Sequence, residues 1–196
     1  AQNAEDIEVS LQVCRDVLVR APQFVHAAVC IGELAAAMER KGLAVRALER
    51  AKALSPTDRT VWEKLGLLYV ERLSDLVSEE RTSEMEAALR EIETYYGSMK
   101  QQFPETTPGL SMALALAEVG RGYFNAGSIS EAARYLRRSV EVMPNAQALE
   151  LLGMIHLRKG EAADAVAMLE KACAVHISGA QFDPMSKEFY ASRLGR

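Results

Sequence analysis

"WEKLGLLY", residues 62–69, contains the only tryptophan of a 196-residue chain. Trp62, Leu65, Gly66 and Tyr69 follow one another at +3, +4 and +7, the spacing of one face of an α-helix. Glycine inside such a face costs helix stability, so its presence points to another element that must come close at that point. The stretch therefore predicts a helix, and whether its stripe packs against a second helix or contacts a ligand decides how the rest is read.

Working outward, three more glycines are each trailed by small and apolar residues at shared intervals. Gly32 precedes Ala44, Leu48, Ala51 and Pro56, and Gly120 precedes Ala132, Leu136, Ser139 and Pro144 at the same steps. Gly153 precedes Ala165, Leu169 and Ala172, with Ile177 where the proline would stand. Small residues let two helices approach closely, so the glycine of one helix is expected against the alanine of the next, with larger apolar groups on the flanks. Turn signals separate the helices at "ERKG" (39–42), "NAGS" (125–128) and "RKGE" (158–161). Pro56, Pro104 and Pro144 close the pairs, and Ser128 with Glu131 reads as a capping box.

At these residues the chain resembles the tetratricopeptide repeat family. Trp62, Leu65, Gly66 and Tyr69 match its W-x2-L-G-x2-Y signature. Val119, Gly120, Tyr123, Ala132, Leu136 and Pro144 match in a second unit, and Ile31, Gly32, Ala44, Leu48, Ala51 and Pro56 in a third. Leu152, Gly153, Ala165, Leu169 and Ala172 match in a fourth, with His156 in the tyrosine slot, while residues 5–22 resemble the second helix of a truncated unit. The resemblance implies an all-α fold, a right-handed solenoid of antiparallel helix hairpins. It also implies one domain over 1–196: the partial unit at 5–22, then units at about 25–58, 59–112, 113–145 and 146–178. Asp183 and Pro184 start a capping helix at about 183–194.

One unit departs from the template. Its closing proline is Pro104, fourteen residues later than the other units would place it. Met85, Leu89, Ile92, Tyr96, Met99 and Phe103 alternate at +4 and +3, which predicts an elongated hairpin at about 60–103 rather than a long loop. Its turn is expected near "VSEERTS" (77–83), with Ser83 and Glu86 as a start signal for the second arm. Between Glu71 and Glu93 stand eight acidic and three basic residues. The hairpin is thus expected to project beyond its neighbours as an acidic prong, with Glu79, Glu80 and Glu84 offered to a basic partner.

Composition narrows the function. The chain is 49% hydrophobic and 26% charged, with a net charge of −4. That balance suits a packed domain and disfavours nucleic acid, whose binders need a clustered basic face. No apolar run is long enough for membrane insertion. Cys14, Cys30 and Cys173 form no close pair in sequence and read as small buried side chains, which weakly favours a reducing, cytoplasmic setting. Because the chain begins at Ala1, removal of an upstream signal and a periplasmic or secreted setting stay open.

Chemistry is poorly supplied. His26 and Cys30 share a helix face at i and i+4, but no second pair supports a metal, and none is expected. Phosphate-binding glycine loops are absent, no cofactor is implied, and no carboxylate pair is placed where burial would raise its pKa. The expectation is a protein that is not an enzyme. In the family, the first helix of each hairpin lines a concave groove. Carried over, the groove residues here are Glu33, Glu63, Leu67, Arg121, Phe124, Asn125, Met154, Leu157 and Arg158. The family's lysine and asparagine clamp for a terminal carboxylate has no counterpart. The expected function is protein–protein recognition as a scaffold or adaptor, with a partner's peptide or helix in the groove. The alternatives are a regulatory or assembly segment of a larger multidomain enzyme or secretion or envelope machine, and self-association through exposed repeat ends.

Overall fold

The computed structural model describes residues 2–106 and 109–180; the expected capping helix at 183–194 lies outside them. Among the described residues there are nine α-helices and no strand. In chain order they are α1 (Gln2–Arg20), α2 (Val25–Ala37), α3 (Lys41–Leu54), α4 (Arg59–Ser78) and α5 (Thr82–Gln102), then α6 (Gly109–Asn125), α7 (Ile129–Val142), α8 (Ala146–Arg158) and α9 (Ala162–Ala180).

The helices pair through the marked glycines. Each has the leucine of the following helix nearest to it, and at Gly32 and Gly153 the carbonyl of the expected alanine, Ala44 or Ala165, also lies in contact, 3.5 and 3.4 Å from where a Cβ would be. A Cβ on Gly32 would stand 2.7 Å from Leu48, one on Gly120 2.6 Å from Leu136, and one on Gly153 2.9 Å from Leu169. Real Cβ atoms do not approach so closely, so only glycine lets the leucine seat there. Gly66 has the same role with a different partner: its Cα is covered by the Tyr96 hydroxyl, 2.6 Å from where a Cβ would be.

The turns obey the same rule. Four described residues have clearly positive φ: Glu39 (57°), Glu80 (58°), Gly127 (76°) and Gly160 (77°). In three hairpins this left-handed residue lies seven positions after the seam glycine and nine before the leucine (Gly32–Glu39–Leu48, Gly120–Gly127–Leu136, Gly153–Gly160–Leu169). In the long hairpin the steps are fourteen and sixteen (Gly66–Glu80–Tyr96). Each arm therefore gains seven residues, close to two helical turns, and the seam returns to the same face.

The chain divides into two compact units, Ala1–Asp75 with Arg90–Ser111, and Leu76–Leu89 with Met112–Arg196. In the first unit, Leu11, Ile31 and Ala47 make one buried cluster and Ala28, Ala51 and Val61 another. Trp62 and Tyr69 are buried. The Trp62 indole donates to the Pro56 carbonyl (2.9 Å), and the Tyr69 hydroxyl donates to Glu49 (3.0 Å). The cysteines correct the sequence reading: Cys14 of α1 and Cys30 of α2 are joined as a disulfide, and Cys173 is exposed.

In the second unit, Phe124, Leu136, Leu151, Leu152 and Ile155 lead the core. The tip of the long hairpin belongs to this unit. Met85 is fully buried and takes the space where Gly122 lacks a side chain. Glu86 accepts hydrogen bonds from the Tyr123 hydroxyl (2.7 Å) and the Tyr135 hydroxyl (2.8 Å), whose rings are stacked at 5.5 Å. The expectation of a projecting prong is thus corrected: the apolar side of the tip is packed on α6. Glu86 serves those tyrosines, and the second arm begins at Thr82. At the start of α7 the Ser128 side chain makes no cap hydrogen bond, so the expected capping box is not formed. Asn145 caps α8 instead, accepting from the Ala148 amide at 3.0 Å.

Candidate partner-binding surface

Each expected groove residue sits on the first helix of its hairpin, where a side chain that does not face the seam either meets the neighbouring hairpin or turns to solvent. In the first unit, α4 exposes Leu67 by half. Leu67 lines a depression of about 260 Å³ together with Arg59, Glu63, Tyr96, Met99, Thr106, Leu110 and Ser111. Leu110, also about half exposed at 52%, adds a second large aliphatic side chain to the lining. Tyr96 of this lining is buried, and among the described residues no partner completes a hydrogen bond to its hydroxyl in good geometry. Burial raises the Tyr96 pKa, against a smaller lowering by the Ser111 hydroxyl. The charges on this surface are internally compensated: Glu63 pairs with Arg59 (2.6 Å) and Glu33 with Lys64 (2.6 Å).

In the second unit, α8 exposes Met154 and Leu157, and Asn125 at the end of α6 is exposed. Arg121 of α6 is half-buried and pairs with Glu118, which also accepts from Gln147 of α8 at 2.7 Å. Phe124 differs from its expected place. It is buried in the core with Leu151 and Ile155, and the Arg158 guanidinium lies 4.1 Å from its ring centroid. It is a packing residue roofed by a cation, not an open anchor.

At the tip of the long hairpin, Glu79, Glu80 and Glu84 are exposed as expected. Arg81 lies between them and pairs with Glu79 (3.0 Å) and Glu84 (2.7 Å), so the acidic charge is partly cancelled at its source. The His26–Cys30 metal pair is excluded by the disulfide at Cys30. His156, in the tyrosine slot, is partly buried and bonds Glu161 (2.6 Å), and His176 bonds Glu150 (2.9 Å).

Leu110, Ser111 and the buried Tyr96 line a depression that the sequence does not reveal. Leu110 stands at the very start of its helix, before any periodicity can assign it a face. Tyr96 reads from its spacing only as part of the seam.

The repeated glycine seams and αL turns define a protein of stacked helix hairpins. Residues 119–180 match the family model for the tetratricopeptide repeat. Solved structures share the fold at low identity. "Crystal structure of MamA" aligns with a TM-score of 0.54 and 17% identity over 92% of this chain and 94% of that one. "Crystal structure of MamA protein" aligns with a TM-score of 0.53 and 17% identity, covering 93% and 89%. "MamA 41-end from Desulfovibrio magneticus RS-1" gives 0.50 and 15% identity, covering 88% and 86%. Comparison with curated proteins gave no significant match. The chain is therefore an all-α protein with the tetratricopeptide-repeat fold, a fold that generally mediates protein–protein interaction. No described helix is long and apolar enough to cross a membrane.

Proposed function

We propose that the chain is a non-enzymatic scaffold or adaptor that holds a partner's peptide or helix by its apolar side chains. One observation carries this reading: large apolar side chains stand exposed on first-helix positions, Leu67 at 50%, Met154 at 41% and Leu157 at 54%, while the charges around Leu67 are already paired. Solvated surfaces of interaction folds gain most from such residues, because burying the exposed half of each one recovers roughly 1 kcal/mol. Recognition by the acidic tip is the weaker reading, since a basic partner would first have to displace Arg81 from Glu79 and Glu84.

The test compares capture of proteins from source-cell extract by the parent chain, Leu67→Asp, Met154→Asp with Leu157→Asp, and Glu79→Gln with Glu84→Gln. These residues are exposed, so circular dichroism should be unchanged in every variant. A partner lost with the apolar variants and kept by the glutamine variant is the expected outcome. Retention by all the apolar variants, or loss with the glutamine variant alone, would overturn the reading.

A further inference from the structure

The turn between α8 and α9 brings together three groups that the recognition surface does not use. His156 lies in the last turn of α8, Glu161 comes just after the turn, and Asp164 is in the first turn of α9. Gly160 reverses the chain with φ of 77°, and the Glu161 amide then donates to the His156 carbonyl at 2.9 Å. This backbone bond holds Glu161 beside His156, with its carboxylate 2.6 Å from His156 Nδ1. One ligand atom from each of His156, Glu161 and Asp164 lies within 4.8 Å of the others.

We propose that this turn is a binding site for a divalent transition metal of the zinc type. Tetrahedral zinc with nitrogen and oxygen donors at about 2.0–2.2 Å holds its ligand atoms about 3.4 Å apart. Two exposed carboxylates reach that separation by ordinary side-chain rotation, while the half-buried imidazole stays in place. One imidazole and two carboxylates supply three ligands and leave the fourth position to water. The imidazole selects d-block cations over calcium and magnesium, which take oxygen ligands. Of the two cations between His156 and Glu161 in sequence, Arg158 is held over the Phe124 ring and Lys159 is exposed. The bound ion would tie the end of α8 to the start of α9.

The alternative is a simple His156–Glu161 ion pair with Asp164 stabilising the start of α9 through the helix dipole. The two differ in what Asp164 does, because the ion pair does not need it. Zinc titration by calorimetry on the full chain carrying Cys173→Ser, which removes the exposed thiol, tests the site. One equivalent should bind. His156→Asn should weaken binding by about tenfold or more and Asp164→Asn should also weaken it, while His176→Asn should leave it unchanged. A tenfold excess of calcium should not compete. Absence of zinc binding, binding indifferent to His156→Asn or to Asp164→Asn, loss with His176→Asn alone, or equal competition by calcium would each overturn the proposal. Thermal unfolding of each variant without metal confirms that the substitutions leave the hairpin folded.

Discussion

Four left-handed residues close the hairpins, and only two of them are glycine. Glu39 and Glu80 therefore carry a backbone strain that Gly127 and Gly160 do not, on the order of 1 kcal/mol each. Glu39→Gly should raise the urea midpoint by an amount equal to about 1 kcal/mol, and Gly127→Ala should lower it by a similar amount. Equal midpoints for parent and Glu39→Gly would contradict the turn assignment. Legibility at the residue scale divides in a similar way. The seam glycines are readable because a glycine in an apolar helical face weakens the helix unless a close neighbour needs the space. The alanine contact at Gly32 and Gly153 is legible, but the leucine that stands closest is not, because spacing along one helix does not say which residue of the next one leans across. Phe124 misleads for a related reason: its position on the helix is that of a groove residue, but its ring turns towards Leu151 and Ile155.

At the scale of elements, the disulfide joins α1 to α2 across a sequence separation of sixteen. A loop of that length contributes about 3 kcal/mol in the chain-entropy account. Reduction should therefore loosen α1 first. Amide exchange in α1 should speed up by as much as about a hundredfold, with α8 and α9 unaffected. Unchanged α1 protection after reduction would show that helix packing alone holds it. The pair is invisible in sequence, since cysteines sixteen apart on two helices carry no spacing signature. The long hairpin is legible in length and seam, because its apolar positions keep their helical period throughout. What its tip touches is not, because Met85 meets Gly122 far along the chain and neither residue advertises the other.

Across the whole molecule, five tyrosines have pKa values raised chiefly by burial: Tyr69, Tyr95, Tyr96, Tyr123 and Tyr135. Tyr123 is pushed up to about 12 by desolvation and then by its bond to Glu86. Above about pH 10 the unfolded chain loses phenol protons that the folded chain keeps, so their stabilising contribution is full below pH 10 and falls as pH rises towards 12. Urea midpoints measured from pH 9 to 11.5 should decline, and Tyr123→Phe should flatten part of that decline; an unaltered slope would contradict it. The long hairpin has its base in one unit and its tip in the other. Deleting 72–78 and 82–88 restores the seven and nine spacing and should keep Gly66 against Tyr96. It removes Met85 and Glu86, so α6 and α7 should lose about 3 kcal/mol of protection against amide exchange. Full protection of α6 and α7 in the shortened protein would mean that the tip is dispensable.

The steps of seven and nine, and of fourteen and sixteen, also limit how such a chain can change length. An arm lengthened by two residues would rotate its far end by about half a revolution relative to the seam, presenting charge where leucine or tyrosine must seat. An arm lengthened by seven comes back almost in phase. Growth of a hairpin in this architecture is therefore quantised in near-whole revolutions, matched on the outward and returning strokes. The glycine and its distant partner act as the two ends of a ruler that rejects intermediate lengths.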